Sequence, residues 1–159
     1  MKKLIVLFLI TTPFALFAQK SAGLMSQTDD LSKMVDKMHY AYQSQNFALW
    51  DEMITDDAVI YLNNTKIDGK TMKPLFASHH EIFSDIKIED RYAHTNYFKG
   101  GDTWTNSWFT WEGTGNKTGI RYANVVHLDW KWEDGKVVRM QFYYDATGLN
   151  LETGAIELN

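Results

Sequence analysis

Cysteine is absent from this chain, and that one absence removes disulfides, thiolate nucleophiles and a lipid-modified cysteine at a processed N-terminus. Proline is nearly absent as well, with only Pro13 and Pro74 in 159 residues. Basic charge is scarce: 16 Lys and Arg face 20 Asp and Glu, for a net charge of -4. No basic patch stands out, so counterion release from a phosphate backbone has no surface to work on, and nucleic acid is not expected as a partner. No set of His, Asp and Glu falls at metal-ligand spacing, and neither a metal nor a cofactor is expected. Repeats, low-complexity stretches and domain-splitting linkers are also missing. What remains is the composition of one ordinary domain, 45% hydrophobic and 23% charged, long enough to bury a core without bridges or metals.

The one long apolar run lies at the start. Lys2 and Lys3 precede "LIVLFLITTPFALFA", and polar sequence begins at Gln19. A charged opening, a short apolar stretch and a small residue at Ala18 are the parts of a secretory signal peptide over residues 1–18. The run is short for a membrane span and carries Pro13, so no stable membrane insertion is expected once it is removed. Its loss takes two lysines, leaving 14 basic against 20 acidic residues and a net charge of -6. The expected address is exported, periplasmic or secreted.

The abundance is aromatic: six Trp, eight Tyr and nine Phe, 14% of the chain. After a flexible segment over 19–28, "TDDLSKMVDKMHYAYQSQ" opens on Thr28, Asp29 and Asp30, which suit a helix N-terminus. Leu31, Met34, Val35, Met38 and Tyr42 then form one helical stripe. "NFALWDEMI" predicts a second, short helix and "DAVIYL" a first strand. "KTMKPLFASHHEIF" predicts a third helix with Pro74 in its first turn. From Ile86 the period becomes two, and "KGGD", "GNKTG" and "EDGK" punctuate four strands as hairpin turns. On the third of these strands Tyr122, Asn124, Val126, Leu128, Trp130 and Trp132 share one face. On the last, Val138, Met140, Phe142 and Tyr144 do. The class is α+β, with helices on one face of an antiparallel sheet.

In this order, "NFALWDEMITDDAVIYL", "IDGKTMKPLF" and the closing "EDGKVVRMQFYYD" resemble the nuclear transport factor 2-like superfamily, in its SnoaL-like branch. The resemblance covers residues 29–151, leaving 152–159 as a tail. It implies a cone-shaped α+β fold: three N-terminal helices packed on a strongly curved, mostly antiparallel sheet that encloses a pocket. Ketosteroid isomerase, scytalone dehydratase, limonene epoxide hydrolase, polyketide cyclases and non-enzymatic modules share that fold, so it leaves activity open. Counted from "DDAV", the family's base aspartate falls on Leu62, which takes no proton. Its helix-one tyrosine falls near Met38, with Tyr42 one turn away. Its protonated acid falls on His127 or on Leu128, depending on which end of the turn is counted. Steroid isomerase chemistry is therefore not expected.

Two residues stand out as acid/base candidates. His79 lies on the apolar stripe of the third helix, where a satisfied core imidazole is the plainer role. Asp145 ends the aromatic run "MQFYYD", where it either caps the turn at "ATGL" or sits at a pocket rim with its pKa raised by desolvation. Tyr42, Tyr61, Trp104, Trp108, Asn124, Trp130 and Tyr144 are the expected ligand lining, since buried Tyr, Trp and Asn need partners. Three functions follow: binding of a small, largely apolar or amphipathic molecule, an acid/base enzyme of isomerase, cyclase or dehydratase type, and a dimerisation module with a vestigial cavity. A homodimer is expected through the outer sheet face, with Phe109 and Trp111 as anchors beside Arg121, His127, Asp129 and Lys131. For export, N-terminal sequencing of the mature protein should start at Gln19 or within a few residues. A mature chain beginning at Met1 in the inner membrane would contradict it.

Overall fold

The structure is a computed structural model that describes residues 22–157. The signal peptide expected over 1–18 lies outside the described residues. Seven strands form one curved, unclosed sheet: β1 (Gly23–Ser26), β2 (Ile54–Leu62), β3 (Thr65–Asp68), β4 (Phe83–Phe98), β5 (Thr103–Gly115), β6 (Arg121–Glu133) and β7 (Lys136–Tyr143). Their order across the sheet is β1-β4-β5-β6-β7-β2-β3. Every pairing is antiparallel except β2 with β7. The helices are α1 (Asp30–Gln43), α2 (Ala48–Met53), α3 (Gly69–Ile82) and α4 (Thr147–Thr153). They are interspersed rather than gathered at the N-terminus: β2 and β3 separate α2 from α3, and α4 follows the last strand. Two short elements were not legible in the sequence. β1 falls within the segment read as flexible, and α4 carries the domain past Leu151.

Local chemistry sets the boundaries. The Asp29 carboxylate accepts from the Leu31 and Ser32 N–H groups at 2.9 and 3.0 Å and so starts α1. Asp68 does the same for α3 through Thr71 N at 2.7 Å. That cap starts α3 at Gly69, earlier than "KTMKP" suggests, so Pro74 lies past the first turn and its ring supplies no N–H to the ladder. Gly69 is required there because a side chain would meet the Thr55 carbonyl at 2.1 Å. The β6–β7 turn places Asp134 and Gly135 at φ 49° and 73°, the two left-handed positions of a tight hairpin. Along β4 the register slips twice, beside Asp85 and Asp90 at φ 52° and 51°. Such bulges bend a strand, and these two curve the longest one around the helices.

The concave face is filled from one end. On β5 the inward residues are Thr105, Ser107 and Phe109, all buried. On β6 Trp130 stands directly opposite Thr105, and Trp132 and Leu128 flank it opposite Thr103 and Ser107, so each indole reaches a hydroxyl diagonally. Small residues on one strand thus make room for indoles on the next. The hydroxyls also take the indole hydrogens: Trp130 Nε1 donates to Ser107 Oγ at 3.1 Å and Trp132 Nε1 to Thr105 Oγ1 at 2.9 Å. Thr105 bonds Thr95 at 2.8 Å and Thr95 bonds Ser32 at 2.9 Å, which ties α1 to the sheet. A bulge between β6 and β7 turns Val137 fully inward beside Met140, so Val138 drops out of the inward row expected for it.

Trp130 is fully buried and makes one hydrogen bond through its indole. Trp130→Phe should lower stability by about 1–3 kcal/mol, read from the denaturant midpoint, with the far-ultraviolet circular dichroism unchanged. An unchanged midpoint would contradict the packing described.

Candidate functional site

Beyond the indoles, the concave face is not filled. A cavity of about 110 Å³ remains between the four helices and strands β2 and β4–β7. Its walls are mostly aromatic: Tyr42, Trp50, Phe76, Phe83, Phe109, Trp111, Phe142 and Tyr144. Leu62, Ile88, Val126, Leu128 and Leu149 complete the apolar lining. Leu75 and Asp145 also line it, and both are exposed, so the cavity meets solvent there.

Few polar groups reach this space. Tyr42 on α1 is the junction. Its hydroxyl accepts from Trp111 Nε1 at 3.0 Å and lies 3.1 Å from His79 Nδ1. His79 packs its ring on Phe76 at 4.9 Å. Burial, and next the neighbouring His80, lower its pKa to about 4. Burial also pushes the Tyr42 phenol well up, against the opposing effect of the Trp111 bond. His39 lines the same space one turn earlier on α1, with Nε2 3.2 Å from Ser107 Oγ and its ring 4.5 Å from Phe109. Burial and the Arg91 charge lower its pKa to about 3. His80 points elsewhere, to the Tyr42 carbonyl at 2.8 Å.

Asp145 lies at the exposed edge. Its carboxylate accepts from Thr147 N at 2.8 Å, and that bonding holds its pKa below the usual value, with a smaller opposing effect of burial. Of the two readings of Asp145, the structure shows the bond of the turn cap, and the raised pKa of the rim reading is absent because the group stays in solvent. Asn124 spends its amide nitrogen on the Asp145 carbonyl at 3.1 Å, tying β6 to the chain entering α4. The helix α4 is then fastened by Glu152, which accepts from Lys117 N at 2.8 Å and Tyr122 OH at 3.0 Å. Gly148 sits against Tyr122, where an added Cβ would be 2.7 Å from the ring.

Of the residues expected from sequence, Tyr42, His79, Asn124, Tyr144 and Asp145 meet at this cavity. Four others do not. Trp104 and Trp108 lie on the outer face of β5, because the inward positions beside Trp130 and Trp132 must be small. Trp108 is stacked there between His94 and His127, at 5.4 and 4.4 Å. Phe109 and Trp111, expected as outer anchors, point inward for the same reason. Tyr61 faces outward under the Arg139 guanidinium, 5.2 Å from the ring centroid. Trp130 is fully buried in the filled end rather than at the cavity. His39 was overlooked, though its position four residues from Val35 and three from Tyr42 marks it as inward. Leu62, where the family's base would fall, lines the cavity, and Leu128 is buried while His127 lies on the outer face. Among the described residues no group of three or more His, Asp and Glu could hold a metal ion. No described helix is long and apolar enough to cross a membrane.

No family model matches the chain, and no curated protein matches it. Solved structures do. The candidate polyketide cyclase IdmH of Streptomyces antibioticus aligns with a TM-score of 0.59 at 18% identity, over 79% of this chain and 99% of its own. A candidate isomerase from Bacillus subtilis gives 0.62 at 14% identity, over 80% and 95%. A Catenulispora acidiphila protein with a ketosteroid isomerase-like fold, in complex with trimethylamine, gives 0.57 at 11% identity, over 77% and 92%. At these identities the likeness is one of fold. The chain shares the fold of polyketide cyclase and ketosteroid isomerase-like structures, the fold that the nuclear transport factor 2-like resemblance implies.

Proposed function

We propose that this is an exported protein that binds a small, largely apolar molecule in the aromatic cavity. One observation carries the reading: the cavity is walled by aromatic rings, and none of its shifted groups is tuned toward neutral pH. The histidines at about 3 and 4 are neutral under ordinary conditions, and the Tyr42 phenol is shifted further from neutrality. General acid/base work favours a group near the working pH, so the alternative of an isomerase, cyclase or dehydratase on His79 and Asp145 has less support. Size narrows the occupant further. At about 110 Å³ the cavity is smaller than the roughly 300–1,000 Å³ of drug-sized pockets. It is nearer the roughly 150 Å³ apolar cavity that takes up benzene, so one ring is the scale of the ligand.

The outer sheet face supports the accompanying proposal of a homodimer. Tyr92, Trp108, His127 and Tyr143 form one row across β4–β7, and Val125 stands 76% exposed on the same side. Both signs of charge flank them in Lys131, Arg139, Asp102 and Glu133, as a self-complementary two-fold contact needs. Trp104 and Trp108 replace Phe109 and Trp111 as the aromatic candidates. Sedimentation at tens of micromolar should give a dimer that Val125→Glu weakens, and a monomer would contradict this.

For the cavity, toluene is a fair probe. It should raise the thermal midpoint of the native protein, and Leu62→Trp, which fills the lining, should cut its affinity by about tenfold or more. Equal binding by both would place the ligand elsewhere. The affinity should stay flat from pH 6 to 8, because His39 and His79 are neutral throughout that range. Below about pH 6.5 the unfolded chain takes up protons that the folded histidines refuse. Stability should therefore fall as pH drops from about 6.5 toward 4.

A further inference from the structure

A count of hydrogens at one end of the cavity narrows the ligand further, and it rests on the binding reading above. Trp111 Nε1 can only donate, and it donates to the Tyr42 hydroxyl oxygen at 3.0 Å. The same hydroxyl lies 3.1 Å from His79 Nδ1. A neutral imidazole carries one N–H, so indole, phenol and imidazole together hold three donor hydrogens. Two bonds join them. One hydrogen is therefore left over in either tautomer, and the tautomer decides where it sits. If Tyr42 donates to Nδ1, the spare hydrogen is on His79 Nε2. If Nδ1 donates to Tyr42, it is on the Tyr42 hydroxyl, and Nε2 is left as a bare acceptor beside it. Among the described residues neither group has a further protein acceptor, and His80 is already bonded to the Tyr42 carbonyl. A donor left unmatched in an apolar site costs binding, which makes an acceptor the complementary group.

Charge decides the rest. No lysine or arginine lines the cavity, and its one carboxylate, Asp145, stands at the exposed edge. A ligand carboxylate would find no cation inside and would pass an acid of like sign. An ammonium group would leave that spare donor unmatched and find no carboxylate inside. We propose that the cavity accepts an uncharged molecule of about one six-membered ring that offers a hydrogen-bond acceptor to the Tyr42–His79 pair, and rejects the matching acid and ammonium ion.

Cyclohexanone, cyclohexylammonium and cyclohexanecarboxylate share a ring and differ in this property. Titrated at pH 7, the ketone should bind about tenfold or more tightly than either ion. The carbonyl stretch of bound cyclohexanone should move below its frequency in a hydrocarbon solvent, which mere burial would not do. Either ion binding as tightly as the ketone, or a carbonyl stretch at the hydrocarbon position, would overturn the inference. If toluene binds and cyclohexanone does not, the acceptor argument fails while the cavity reading stands. If neither binds, both fall together.

Discussion

The Tyr42 hydroxyl is the contact on which the site depends. It joins α1, which carries it, to α3 through His79 and to β5 through Trp111. Three elements far apart in sequence are thereby fixed around one space. A buried phenol is costly without partners, and here its partners are also walls of the cavity. The same arrangement sets the charge state. Rings that exclude water from Tyr42 and His79 raise the phenol and lower the imidazole, so both remain uncharged. Polar atoms can then border an apolar cavity without bringing charge into it.

Why the cavity exists follows from how the other end is filled. Trp130 and Trp132 occupy the space that Thr105 and Ser107 leave, and the hydroxyls of those small residues take the indole hydrogens. Further along β6 the inward residues shrink to Leu128, Val126 and Asn124, while β5 turns to Phe109 and Trp111. The core is dense where indole meets hydroxyl and open where aliphatic groups meet rings at the other end. The helix α4 covers part of that end through Gly148 and Leu149, held by Glu152.

Much of this was legible in the sequence. The period of two after Ile86, the hairpin signals and the helical stripe through Met38 and Tyr42 give the α+β class, and the inward face of β6 follows from its own alternation. The alternation of β5 does not identify its inward side, because "TWTNSWFTW" offers aromatics to both. Only the register against β6 shows that Trp130 and Trp132 require Thr105 and Ser107 as neighbours, which sends Trp104 and Trp108 outward. Val138 is expected inward and Val137 takes that place for a related reason, since a bulge is a property of a pair of strands. Asp145 could be placed at the cavity edge from its position, but its pKa direction depended on the Thr147 bond and on exposure.

The proposed uncharged guest follows from a cavity that holds its histidines neutral. Nuclear magnetic resonance titration of the His39 and His79 imidazoles tests it most directly. Neither ring should take up a proton until the pH falls to about 4 for His79 and about 3 for His39. Titration of either ring near the ordinary value of about 6.5 would contradict it.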